Sequence, residues 1–251
     1  MNKPTLKRES LLMDSLFVLI CCIIRSRRGD GMKNIRYIIW DWNGTLLNDV
    51  ELGVEAVNWL LAKEGLSIFP NKEAYQKVFQ FPIIEYYKKA GFDFQKTSFD
   101  VLADEYIAYY QPRSILCNLH EGVKEVLEGF HKRGYKQVIL SASKLENLEE
   151  QVKVYDIVKY FEYILGIDNI HAHSKAQLAQ DFVEKLHIDP HQIVFIGDSV
   201  HDSEVASLAG CNCILIANGH EHKDKLLKTG YPVVDCIHDV YQMIKDEREV
   251  F

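Results

Sequence analysis

From residue 35 onward the chain alternates between short, unbroken apolar runs and longer stretches with helical periodicity. The apolar runs are IRYIIW (35–40), KQVILS (136–141), QIVFIG (192–197), NCILIA (212–217) and PVVDCI (232–237). A strand with one wet face alternates apolar and polar residues, whereas a strand buried on both faces reads as a continuous apolar run. These runs, with helices between them, predict an α/β fold: a Rossmann-like parallel sheet with helices on both faces. Two of the helices are legible in detail. Val123, Val126, Leu127 and Phe130 follow i, i+3, i+4, i+7 spacing, and Gly134 closes that helix as a C-terminal cap. Leu178, Phe182 and Leu186 recur every four residues, with Pro190 just beyond the end.

Between Leu47 and Cys117 the strand signal vanishes and VELGVEAVNWLLAKEG, NKEAYQKVF, PIIEYYKKAG and TSFDVLADEYIAYYQ read as helices. Thr97 and Asp100 open the last of these in capping-box spacing, with Asp in place of the usual Glu. Roughly 70 helical residues straight after the first strand are too many for a crossover, which needs about a dozen. They predict a small all-helical cap over 49–115, inserted into a core formed by 32–48 and 116–251. There is no internal repeat and no low-complexity tract.

Residues 1–31 carry a basic start and an apolar stretch from Leu16 to Ile24. That stretch is far short of the roughly 20 residues needed to span a bilayer. Arg25, Arg27 and Arg28 stand where a secretory cleavage site needs small residues. Met32 opens MKNIRYIIWDWNGTLL, a compact beginning for a domain, so 1–31 is read as an extension that is either not translated or disordered.

Composition narrows the function classes. The 251 residues are 47% hydrophobic and 26% charged, as in an ordinary soluble globular protein able to bury a sizeable core. The formal net charge is −7 and the Lys and Arg residues are scattered, which argues against a nucleic-acid partner. Cys21, Cys22, Cys117, Cys211, Cys213 and Cys236 form no CxxC pair and no zinc spacing with His. They read as small apolar residues in a reducing cytoplasm, with no membrane association. Nothing in the sequence specifies an oligomeric state.

Ligands of open α/β sheets sit beyond the carboxyl ends of the strands, so the residues that follow each strand matter most. The first strand ends in Asp41-Trp42-Asn43-Gly44-Thr45, and KQVILS ends in Ser141-Ala142-Ser143-Lys144. Lys175 opens a helix, and QIVFIG runs into Asp198-Ser199-Val200-His201-Asp202. A carboxylate at a strand tip can attack phosphorus to give an aspartyl phosphate. Phosphoryl transfer is mainly positioning and charge neutralisation, which asks for a hard cation with oxygen ligands and for cationic and hydroxyl contacts to the phosphoryl oxygens. Asp41, Asp198 and Asp202 can supply the cation site, and Ser141 and Lys175 the phosphate contacts. Asp198 and Asp202, four apart where a helix begins, can share one face of its first turn.

IIWDWNGTLL, VILSAS, Lys175 and VFIGDSVHDSEVASLAG, in that order, resemble the four motifs of the haloacid dehalogenase superfamily. The chain most resembles the phosphoglycolate-phosphatase-like branch, whose helical cap follows the first strand, and the resemblance covers 35 to about 245. It implies a Mg²⁺-dependent phosphoric monoester hydrolase acting on a small phosphorylated metabolite, with Asp41 as nucleophile and metal ligand. It further implies that the Asn43 backbone carbonyl, Asp198 and Asp202 serve the metal. Ser141 with the Ala142 amide, and Lys175, would hold the phosphoryl group.

Position 43 departs from the pattern. Family hydrolases usually carry an aspartate two residues after the nucleophile, acting as general acid and then base; Asn43 can donate a hydrogen bond but cannot exchange a proton near neutrality. A positioned acid or base is typically worth about 10²–10⁴ in rate. Three consequences are open: a slow phosphatase or one with a good leaving group such as an acyl phosphate or anhydride; a substitute base, His201 or His220; or a non-hydrolytic protein that binds a phosphorylated ligand or acts in regulation. The two histidines read more readily as surface or loop residues. In the cap, VFQFPIIEYYKKAG (78–91) is the segment expected nearest the site, with Phe79, Phe81, Tyr86 and Tyr87 read as cap core and Lys88 and Lys89 as solvated or anion-facing.

Overall fold

The computed structural model describes residue 32 and residues 34–167 and 174–245. The expectations for residues 1–31 lie outside the described residues. Six strands form one parallel sheet in the order β5-β4-β1-β6-β7-β8. They are β1 (Tyr37–Trp40), β4 (Lys136–Lys144), β5 (Tyr163–Ile167), β6 (Ile193–Gly197), β7 (Asn212–Ile216) and β8 (Val233–Val234). The central β1 lies between β4 and β6, with Trp40 opposite Ile139 on one side and Ile196 on the other. The chain runs outward from β1 through β4 and β5, then returns to the other side of β1 as β6. Connections therefore diverge at the β1 tip, which opens the crevice where such sheets bind ligands.

The continuous apolar runs follow from burial on both faces. Ile38, Trp40, Ile139, Val194 and Ile196 enter one core cluster. There they pack on α5 (Val123–Lys132), α6 (Leu145–Val154) and α10 (Ile237–Lys245). Ile39, Val138, Leu140 and Phe195 point the other way into a second cluster. It packs on α7 (Lys175–Leu186) and α8 (Val200–Leu208). Alternation of side chains across the sheet demands an apolar residue at every position when both faces are covered.

Between β1 and β4 stand α1 (Val50–Lys63), α2 (Lys72–Val78), α3 (Ile83–Ala90) and α4 (Phe99–Ser114). They pack around their own cluster of Val50, Val57, Leu61, Tyr75, Phe79, Tyr86, Tyr87 and Leu102. A two-residue antiparallel pair, β2 (Leu47–Asn48) with β3 (Asn118–Leu119), clasps the two chain segments where this helical insert leaves and returns.

Several local expectations change. The N-cap of α4 is Ser98, whose side chain accepts from the Val101 amide; Thr97 instead donates its hydroxyl to Glu64 at 2.9 Å, so no capping box forms at Thr97. The last strand shrinks to two residues because Asp239 accepts from the Cys236 amide and starts α10 at Ile237. α7, by contrast, ends as expected short of Pro190, with His187 as a left-handed C-cap. β5, a short YILGI run at the sheet edge and largely half-exposed, is not among the predicted strands.

One buried polar chain fastens the β1 loop to both layers. The Trp42 indole donates to Gln151 on α6 at 2.7 Å, Gln151 donates to Ser114 on α4 at 2.6 Å, and Ser114 donates to the Gln111 carbonyl. Gln151→Leu strands the Trp42 N–H at a cost of about 1–3 kcal/mol, and removes the donor to Ser114, whose hydroxyl keeps its bond to the Gln111 carbonyl. Urea unfolding should show a loss in that range or above, and Trp42→Phe in the Gln151→Leu background should recover part of it; a Gln151→Leu midpoint equal to wild type would refute the assignment.

Candidate active site

The tips of β1, β4 and β6 and the first turn of α7 deliver Asp41, Ser141, Asp198 and Lys175 to one place. Hydrogen bonding to β6 continues one residue past β1, the Asp41 amide donating to Ile196 O at 2.8 Å, so its side chain leaves the sheet at a fixed angle. Lys175, next to the Ser174 cap of α7, sends its ammonium to Asp41 and, at 2.6 Å, to Asp202. Asp41, Asp198 and Asp202 each offer an oxygen within 4.8 Å of the others, and all three are buried.

Asp202 has a second task. With Ser199 it forms a capping box at the start of α8, its Oδ2 accepting from the Ser199 amide at 3.0 Å and the Asp198 amide at 3.1 Å. One side chain thus caps α8 and faces the lysine: the box leaves Oδ1 toward Lys175. The Asp198 carboxylate accepts from the Thr45 hydroxyl at 3.3 Å and from the His220 amide at 2.5 Å. Gly44 makes this approach possible. Its φ is +71°, and a Cβ there would lie 2.3 Å from Asp198 Oδ2.

Charge is unbalanced in this pocket. Burial raises the Asp41 carboxyl to about 6, against the pull of Lys175 and with a further push from Asp202. Burial likewise raises Asp198 to about 8, with His220 opposing and the neighbouring carboxylates adding. Asp202, although buried, is held below the usual carboxylate range by Lys175 and the Ser199 hydroxyl. Among the described residues the cluster is three buried carboxylates, two of them paired with the Lys175 ammonium, and this all-oxygen set is chemically suited to a hard divalent cation.

Of the residues expected to contact phosphate, Ser141 is buried and its hydroxyl accepts from the Ser143 amide at 3.1 Å, while Ala142 is exposed beside it. Asn43 is half-buried and fully engaged. Its amide nitrogen donates to Asp49 at 3.1 Å and to the Tyr110 hydroxyl at 2.8 Å, and its oxygen accepts from Ser143 at 3.0 Å.

Sequence reasoning missed Asp49 and misjudged His220. Asp49 begins α1, is 1% exposed, and accepts from the Gly44 amide at 2.7 Å, from Asn43, from Tyr110 and from His220 at 3.2 Å. Burial pulls its carboxyl up, but the His220 cation and these hydrogen bonds outweigh it and hold Asp49 ionised. His220 is no surface histidine. It is buried in the loop after β7 and hydrogen-bonded at 2.8 Å to Tyr75 of α2. Its ring lies 5.3 Å from that of Phe79. Burial disfavours its charged form, yet Asp49 and Asp198 raise it to about 9. The only available signal was its position at a strand's carboxyl end. His201, by contrast, is half-buried and stacks on Phe81 at 4.7 Å. Segment 78–91 thus meets His220 and His201 of the core through Phe79 and Phe81, and Phe79, Tyr86 and Tyr87 are buried in the insert's own cluster. Lys88 and Lys89 stay at the surface with Glu85 and Gln80.

Among the described residues no helix is long and apolar enough to cross a membrane. The model of a haloacid dehalogenase-like hydrolase family matches residues 38–216, a span from β1 to β7 that contains Asp41, Asn43, Asp49, Ser141, Lys175, Asp198 and Asp202. The chain is 24% identical over 133 residues to a phosphoglycolate phosphatase of Aliivibrio fischeri, which covers 53% of this chain and 56% of that one. The chain thus spans little more than half the length of that relative. It is 23% identical over 202 residues to the pyrophosphatase PpaX of Bacillus pumilus, covering 78% and 89%. In three dimensions it is similar to the crystal structure described as a predicted phosphatase from Clostridium acetobutylicum, with a TM-score of 0.72 and 19% identity over 84% of this chain and 99% of that one. That likeness establishes the fold. The family match extends over most of the chain, and the chain belongs to the haloacid dehalogenase-like hydrolase family.

Proposed function

We propose that the protein is a Mg²⁺-dependent phosphatase that hydrolyses a small phosphorylated metabolite, of phosphoglycolate-like size, through an aspartyl phosphate on Asp41. The observation that carries this reading is the convergence of Asp41, Lys175, Asp198 and Asp202 within bonding reach at the sheet tips. The printed names of the relatives, a phosphoglycolate phosphatase and a pyrophosphatase, span ester and anhydride substrates and agree with phosphate-releasing chemistry. α1 to α4 act as the cap that admits substrate and excludes water.

Each residue has a task in this reading. Asp41, Asp198, Asp202 and the Asn43 backbone carbonyl would hold the cation, which supplies charge neutralisation for the phosphoryl oxygens. Asp41 attacks phosphorus, with Lys175 orienting it now and holding the phosphoryl oxygens later. Ser141 and the Ala142 amide bind the same oxygens. Fixed donors aimed at the developing charge are worth several kcal/mol of barrier in such sites.

A second reading, a weak or inactive member that binds a phosphorylated ligand or acts in regulation, draws on Asn43 alone. Steady-state phosphate release from p-nitrophenyl phosphate with Mg²⁺ separates the two. We expect turnover that Asp41→Asn reduces to the no-enzyme background and chelation abolishes; a wild type that releases nothing from a broad phosphate panel would favour the binding protein.

Metal binding also has a readout apart from activity. Mg²⁺ should raise the Tm of wild type but not of Asp198→Asn. Because carboxyls raised toward about 6 and about 8 keep protons that the unfolded chain has lost, the metal-free protein loses stability as pH rises through that window. A cation displaces those protons, so the Mg²⁺-induced rise should be larger above about pH 8 than below about pH 6. An equal rise at both would contradict this charge assignment.

A further inference from the structure

Among the described residues, the hydrogens around position 43 are all committed. Asn43 has two amide hydrogens, one given to Asp49 and one to Tyr110. Asp49 receives four donors, the Asn43 amide, the Gly44 backbone, the Tyr110 hydroxyl and the His220 ring. A carboxylate so surrounded accepts on both oxygens and has no proton to give. The Tyr110 hydrogen is spent on Asp49, and both His220 nitrogens are engaged, by Asp49 and by Tyr75. The Ser143 hydroxyl is spent on Asn43 Oδ1, and the His120 ring is held between the Gly44 carbonyl and Asn218. The residue that usually protonates the leaving oxygen is thus replaced by an amide, and the amide cannot offer even a hydrogen bond without breaking this network.

We propose that this site acts on phosphates whose leaving oxygen departs as a stable anion with no proton from the protein: acyl phosphates and phosphoanhydrides rather than alkyl esters. The proposal rests on the phosphatase reading and narrows its substrate class. In the first half-reaction an Asp41 oxygen bonds to phosphorus and the bond from phosphorus to the leaving oxygen breaks. The electron pair stays on that oxygen, which takes a proton from bulk water only after release. In the second half a water oxygen bonds to phosphorus, the electron pair of the Asp41–phosphorus bond returns to the carboxylate, and the water proton passes to the released phosphate.

The energetic argument is one of scale. Protonation of the leaving oxygen by a positioned acid is typically worth about 10²–10⁴. For an alkoxide that assistance is most of what makes departure feasible; for a carboxylate or phosphate anion it is worth little. A site built to keep position 43 neutral and occupied gives up rate on the first class and very little on the second.

The test is the dependence of kcat/KM on leaving-group acidity, measured with phenyl phosphates whose ring substituents span strongly to weakly acidic phenols. We expect a steep fall for the wild type as the phenol becomes less acidic. The exchange variant Asn43→Asp/Asp49→Asn keeps one carboxylate and one amide but moves the carboxyl to position 43. Its profile should be shallow, with a relative gain of about 10²–10⁴ on the least acidic phenol. A shallow wild-type profile overturns the leaving-group proposal and leaves the phosphatase reading intact, and it does so even if the exchange variant fails to fold. Absence of wild-type turnover across the series overturns both.

Discussion

Among the described residues, four carboxylates, Asp41, Asp49, Asp198 and Asp202, are buried around the tip of β1, and two cationic side chains, Lys175 and His220, are buried with them. An unpaired buried charge costs several kcal/mol, so this ratio constrains everything near it. The cations are placed to serve more than one anion each. Lys175 crosses from α7 to Asp41 and Asp202, and His220 faces Asp49 through its ring while its backbone holds Asp198. The two anions in excess show up as the two raised carboxyls, Asp41 and Asp198. The fold thus carries a local deficit of positive charge at the place where a cation and a phosphoryl group would enter, a stability cost concentrated where chemistry is expected.

The same balance reaches into the helical insert. His220 belongs to the core loop after β7, yet its partners Asp49 and Tyr75 belong to α1 and α2 and its ring packs on Phe79. Around it Gln76 donates to the Gly219 carbonyl at 2.6 Å and Lys72 to the Asn218 carbonyl at 3.3 Å. Seating α2 on this loop therefore places the cation that keeps Asp49 ionised, while the loop's backbone holds Asp198. Lifting the insert away would expose His220 to water, weaken the Asp49 pairing and loosen one of the two contacts that orient Asp198. The position of the helical insert and the carboxylate arrangement meet at a single imidazole.

Much of this was legible in the sequence for a simple reason. Strands buried on both faces write themselves as apolar runs, so the residues that follow them stand out, and Asp41, Ser141 and Asp198 were readable as strand-tip groups without a structure. What was not legible is pairing over distance. Asp49 and His220 lie 171 residues apart and meet only because α2 folds onto the β7 loop. Short elements with weak patterns were lost as well: β2 and β3 have two residues each, and β5 is a half-exposed edge strand. Thr97 and Ser98 are both good caps by type, and the choice between them fell to Glu64 across the insert, which takes the Thr97 hydroxyl.

The asparagine at position 43 becomes intelligible through Asp49. Asp49 is ionised and buried, and it needs donors on every lone pair; Asn43 supplies one from 3.1 Å. An aspartate at 43 would instead bring a second carboxylate to that distance, and two such groups cannot both ionise without a large rise in one of their pKa values. The proton so retained would be shared with Asp49 rather than presented to a leaving group. Asn43 is thus the residue that a buried anion at position 49 requires, and the absence of a proton carrier at position 43 is the chemical consequence of where that anion sits.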